Sequence, residues 1–118
     1  MKIKNKPVQS KCSLFKAKVL NPPRLVNYSA DSIVSKTLVD RKSGTLTLFA
    51  FDRGQGLSEH VAPFDAVVQI LEGRARITIA GRELTARAGD MVIMPANVPH
   101  ALKAREKFKM LLIMIRGK

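Results

Sequence analysis

From about Ile33 onward, apolar and polar residues alternate over short stretches that turn residues interrupt every eight to twelve positions. Alternation with a period of two sends successive side chains to opposite faces of a strand. The clearest case is Arg74 to Ala80, where Ala75, Ile77 and Ile79 share one face and Arg74, Arg76 and Thr78 the other. The same reading predicts strands at Ile33 to Asp40, Thr45 to Phe51, Leu57 to Val61, Ala66 to Leu71, Arg82 to Ala88, Met91 to Met94, His100 to Ala104 and Phe108 to Ile115. The breaks carry turn chemistry: Arg41-Lys42-Ser43-Gly44, where the Gly is expected to supply a positive φ, then Glu72-Gly73, Ala80-Gly81, Gly89-Asp90 and Pro95-Ala96-Asn97. No long amphipathic helix, internal repeat or low-complexity tract is present. The pattern predicts an all-β sandwich or barrel.

The 118 residues make room for one core, which at this size buries roughly two-thirds of the unfolded surface. An apolar fraction of 46% with a mean hydropathy of −0.01 describes a globular domain. The longest apolar run, Met110 to Ile115, is far short of the roughly 20 residues that span a bilayer, so no membrane partner is expected. Lysines at 2, 4, 6, 11, 16 and 18 break any apolar core of a secretory signal, which makes the cytoplasm the expected location. Cys12 is the single cysteine, so no internal disulfide is expected.

Charge divides the chain. Residues 1–24 carry +7 of the net +12 and contain no acidic residue, and the Pro22-Pro23 pair closes this zone. We therefore divide the chain into a basic amino-terminal arm, residues 1–24, and a barrel domain, residues 25–118. Leu14, Phe15, Val19 and Leu20 allow either a short helix or an arm packed on the body. A basic arm attracts polyanions, but no nucleic-acid module follows it and Phe15 is its only aromatic residue. Specific nucleic-acid binding is not expected, and the arm reads as a solvated one.

Two stretches carry a resemblance. Gly56-x-x-x-His60-x-Ala62-Pro63-x-x-Ala66, followed by Gly73, and Gly89-x5-Pro95-x-Asn97-x-x-His100 resemble the two motifs of the cupin superfamily, in its small type-2 or RmlC-like form. The resemblance covers about residues 33–115 and implies a double-stranded β-helix, the cupin jelly-roll barrel. Asn97 replaces a family Gly, and Asn tolerates the left-handed region best among side chains with a Cβ. The family's metal ligands are two His and a Glu from the first motif and one His from the second. Carried over, they fall on His60, Ala62, Ala66 and His100, so half the set is missing. Gln69 or Asp65 would supply an oxygen only through a bulge, because parity turns both away from Ala66.

The resemblance also implies that His60 and His100, the only histidines and 40 positions apart, face each other inside the barrel. The ligand pocket expected around them comprises Phe64, Val68, Ile70, Ile77, Met91 and Ile93, with Ile79 beside them. The preferred reading is a small-molecule-binding cupin with a depleted metal site. An alternative is a divalent-metal enzyme of dioxygenase or isomerase type using His60 and His100; another is an interaction protein using the basic arm. Met91, Met94, Met110 and Met114 read as adaptable core packing rather than a soft-metal site. Arg74 and Arg76 read as a solvated outer face. The resemblance further implies a homodimer, which would protect an exposed sheet edge. Nucleophile elbows, phosphate loops and dinucleotide fingerprints are absent.

Overall fold

A computed structural model describes residues 14–116. Among the described residues nine strands follow a short 3-10 helix at Pro22–Arg24: β1 (Ile33–Arg41), β2 (Gly44–Phe51), β3 (Gly56–His60), β4 (Asp65–Glu72), β5 (Arg74–Ile79), β6 (Arg82–Arg87), β7 (Met91–Met94), β8 (His100–Lys103) and β9 (Phe108–Ile115). Every strand expected from alternation forms, and no boundary moves by more than one residue. The strands make two antiparallel sheets, ordered β1-β2-β9-β4-β7 and β3-β8-β5-β6. They face each other as the jelly-roll barrel requires.

Two turns show why their residues are where they are. Gly73 joins β4 to β5 at φ 76°, and a Cβ there would run into the Lys107 carbonyl. Gly44 corrects an expectation: its φ is not in the positive range. The loop needs it for closeness instead, since a Cβ at 44 would collide with the Met114 carbonyl on β9. Asn97 does adopt the left-handed conformation, at φ 64°.

The barrel is filled at one end and open at the other. Along β4 the inward side chains shrink from Ile70 through Val68 to Ala66. Phe51, Phe108, Ile70 and Ile77 fill the first end with no exposed surface to speak of, and the Phe51 and Phe108 rings stack at 4.5 Å. Stacking of this kind adds to the burial of two large rings. At the other end, alanines leave a cavity.

A second apolar cluster lies on the outer face of the five-stranded sheet. Val26, Leu38, Leu48 and Ala50 are buried there, with Phe15, Leu25 and Tyr28 packed against them. The part of the basic arm that is described thus docks on the body, and residues 1–13 lie outside the described residues. Lys109 is buried beneath this segment; its Nζ donates to the Pro23 carbonyl at 2.7 Å and lies 4.9 Å from the Tyr28 ring centre. A buried ammonium is tolerable only with such partners. Tyr28 in turn donates its hydroxyl to Glu72 at 2.6 Å. Burial first, and then this carboxylate, push the phenol pKa up. No helix among the described residues is long and apolar enough to cross a membrane.

Candidate functional site

β3 and β8 are neighbours, and their register puts His60 directly opposite His100. A regular strand would not do this. Leu57 pairs with Leu102 on the inward side, and three residues on β3 then span two on β8. The extra residue is a bulge, which returns His60 to the inward face. The two imidazoles meet edge to face, with centres 4.3 Å apart and planes inclined by 68°. His100 is buried, whereas His60 is exposed at the mouth.

Each ring is anchored by its own strand. His60 Nδ1 lies 2.9 Å from the Ser58 carbonyl and His100 Nδ1 3.2 Å from the Val98 carbonyl. A carbonyl only accepts, so each Nδ1 carries the hydrogen. In the neutral rings both Nε2 atoms therefore keep a free lone pair. Fixing one nitrogen through a backbone carbonyl is how proteins prepare the other as an acceptor or ligand.

The cavity beside this pair measures about 160 Å³. Its remaining lining is apolar: Leu57, Ala62, Phe64, Ala66, Met94, Leu102, Met110, Leu112 and Met114. In the opposing sheet, Ala66 pairs with Met94 on one side and with Met114 on the other. The three form one inward row facing the imidazoles. Phe64 lines the cavity, and the Arg116 guanidinium sits 5.7 Å from its ring centre.

Other expected pocket residues fall elsewhere. Val68, Ile70 and Ile77 point inward but belong to the filled part of the barrel, and Ile79 packs against that core. Met91 and Ile93 are corrected outright: both are more than half exposed on the outer face. β7 pairs Val92 with Val68 and Met94 with Ala66, so the inward residues are Val92 and Met94. Gln69 is likewise corrected, because it pairs with Met91 and shares the outward parity, with no bulge to reverse it. Asp65 is occupied, accepting from the Ala96 amide at 2.8 Å. The sequence reading missed Leu57, Leu102, Leu112 and the three cavity methionines. No signal for the methionines was available in β9 itself, because Met110 to Ile115 is apolar throughout.

A divalent ion does not fit these residues. Among the described residues no group of three or more His, Cys, Asp or Glu is placed to hold a metal ion. Two imidazoles without a carboxylate leave most of such an ion's coordination and all of its charge unmet.

The outer face of the four-stranded sheet holds a shallow hollow of about 360 Å³ bordered by Arg74, Arg76, Arg87 and Arg105. Arg74 binds Glu106 at 3.0 Å and Arg76 binds Glu83 at 2.9 Å. The hydrogen bond from Arg74 holds the Glu106 carboxyl below its usual pKa. This agrees with a solvated outer face.

Residues 47–116 match the family model described as a cupin domain. Among solved structures, the chain is similar to a conserved protein of unknown function from Streptococcus pyogenes at 41% identity, covering 86% of this chain and 90% of that one, with a TM-score of 0.83. It is similar to a cupin 2 conserved barrel domain protein from Leptotrichia buccalis at 37% identity, covering 82% of this chain but 47% of that one, with a TM-score of 0.80. A cupin superfamily protein from Desulfitobacterium hafniense is 26% identical over 99% of this chain and 100% of its own, with a TM-score of 0.81. No curated protein matches the chain.

Proposed function

This chain belongs to the cupin family, and from that premise we propose that it binds a small molecule inside the barrel at His60 and His100. The observation that supports this reading is the pair of imidazoles, each anchored through Nδ1 to a backbone carbonyl, that border an otherwise apolar cavity. An apolar cavity of roughly 150 Å³ takes a benzene-sized guest. The ligand is therefore compact, mostly apolar, and carries one acidic or hydrogen-bond-donating group for the imidazoles. Small aromatic acids and phenols have this chemistry. His100 provides the buried contact, and His60 closes the mouth.

Calorimetric titration with a panel of such acids and phenols tests the reading. Binding is expected in the wild type, weakened roughly 10- to 100-fold in His60→Ala or His100→Ala, the cost of losing a hydrogen bond to a charged group. Equal affinity in the variants, or no binding across the panel, would count against it.

The assembly we propose is a homodimer. Support comes from an apolar row across the outer face of the five-stranded sheet. Val39, Leu46, Ile113, Val67 and Ile93 are successive cross-strand partners. Ile93 is 60% exposed and Ile115 56% among the described residues. The other four members of the row are half-buried, Val39 and Leu46 against the second apolar cluster; an apolar strip with an open end of this kind suits an interaction face, and a two-fold axis would set it against its own copy.

A further inference from the structure

The donor set of the cavity contains more than the imidazoles. Met94 and Met114 stand on either side of Ala66 in the inward row, as its direct cross-strand neighbours. Each is about 5 Å from Ala66 at its Cβ, so their strands stand two spacings, about 10 Å, apart, a gap that two flexible thioether side chains span. Ala66 contributes only a methyl group between them, so both thioethers border open space that His60 and His100 also border. Among the described residues no carboxylate lines that space.

We propose that this cavity is a site for a soft monovalent cation, Cu(I), with Nε2 of His60 and His100 and the thioethers of Met94 and Met114 as its ligands. Two arguments choose this ion over a divalent one. Thioether and imidazole are soft to borderline donors, which select Cu(I) among the first-row metals. All four donors are also neutral. Moving a charge into an apolar cavity is costly, and the cost rises with the square of the charge, so neutral donors can sustain one positive charge where they cannot sustain two. Core packing alone would account for methionine here, and it is the outcome the experiment must separate. The proposal shares with the small-molecule reading the convergence of the two imidazoles, but it does not rest on an organic ligand.

The test uses the full chain carrying Cys12→Ser, which removes its only thiol. Cu(I) is supplied anaerobically in competition with the chromophoric chelator bicinchoninate. One Cu(I) per chain is expected to be retained. Met94→Leu/Met114→Leu keeps nearly the same volume and is expected to weaken retention by roughly 100-fold, as loss of metal ligands does. Met91→Leu, at an exposed thioether, should leave it unchanged. With Ag(I) as a redox-inert stand-in, the ε-methyl resonances of Met94 and Met114 should shift and that of Met91 should not.

Failure of the chain to retain Cu(I), retention unaltered in the double leucine variant, or Zn²⁺ displacing Cu(I) at equal concentration would each overturn the proposal. The leucine variant keeps both imidazoles and the apolar wall. Organic ligands that bind wild type and this variant equally, alongside absent Cu(I) binding, would overturn the metal proposal and leave the small-molecule reading standing. Absence of both would overturn both.

Discussion

The double substitution Ala62→His/Ala66→Glu is expected to give the chain a tight divalent-metal site. Both alanines line the cavity that His60 and His100 border. The substitution adds an imidazole and a carboxylate to two imidazoles already oriented by the Ser58 and Val98 carbonyls. Such a set supplies the charge and the fourth ligand that the native residues lack. The metal-free variant should be less stable than wild type by about 2–5 kcal/mol, because Ala66 is only 4% exposed and a carboxylate there lacks a partner. Zn²⁺ or Mn²⁺ at a thousand times its dissociation constant should then restore about 4 kcal/mol. Thermal denaturation with and without metal checks this. No metal-dependent rise in Tm would mean that the four positions do not converge.

Ile93→Lys is expected to convert a dimer of about twice the 13.0 kDa chain mass into a monomer. Ile93 ends the apolar row Val39, Leu46, Ile113, Val67, Ile93 and is among its most open members. Across a two-fold axis the lysine would meet apolar surface, and burying its ammonium there costs at least about 2 kcal/mol, or a thirtyfold weaker dimer. The barrel interior should not notice, since Ile93 points outward. Sedimentation equilibrium reads the masses. A wild-type chain that sediments as a monomer would remove the dimer.

Why some of this could be read from the sequence and some could not follows from how much each strand alternates. β5 has one buried and one solvated face, so Arg-Ala-Arg-Ile-Thr-Ile states its own orientation. β7 is Met-Val-Ile-Met, apolar throughout, and gives no parity to read. The outward pair Met91 and Ile93 was therefore mistaken for the inward one. Partner strands decide such a case: Ala66 and Val68 on β4 select Met94 and Val92. The approach of His60 to His100 was expected from resemblance alone. Physically it depends on a bulge between Leu57 and His60 that no residue in Ser58-Glu59 announces. Gly44 shows the same limit at a turn, because its need is a close approach to β9 and not a dihedral.

The cavity methionines were legible as core packing but not as wall. β9 is apolar from Met110 to Ile115, so, like β7, it gives no parity of its own. Whether an inward side chain meets a neighbour or a void depends on the residue beside it on the next strand, and for Met94 and Met114 that residue is Ala66. Small residues thus define the site as much as the histidines do.

Long-range proton–nitrogen correlation spectra of the imidazoles, taken well above the usual histidine titration range, test the core of this account. Both rings are expected to show protonated Nδ1 and bare Nε2, with through-space contacts between their ring protons. An Nε2-protonated tautomer at either ring, or two rings without mutual contacts, would contradict it.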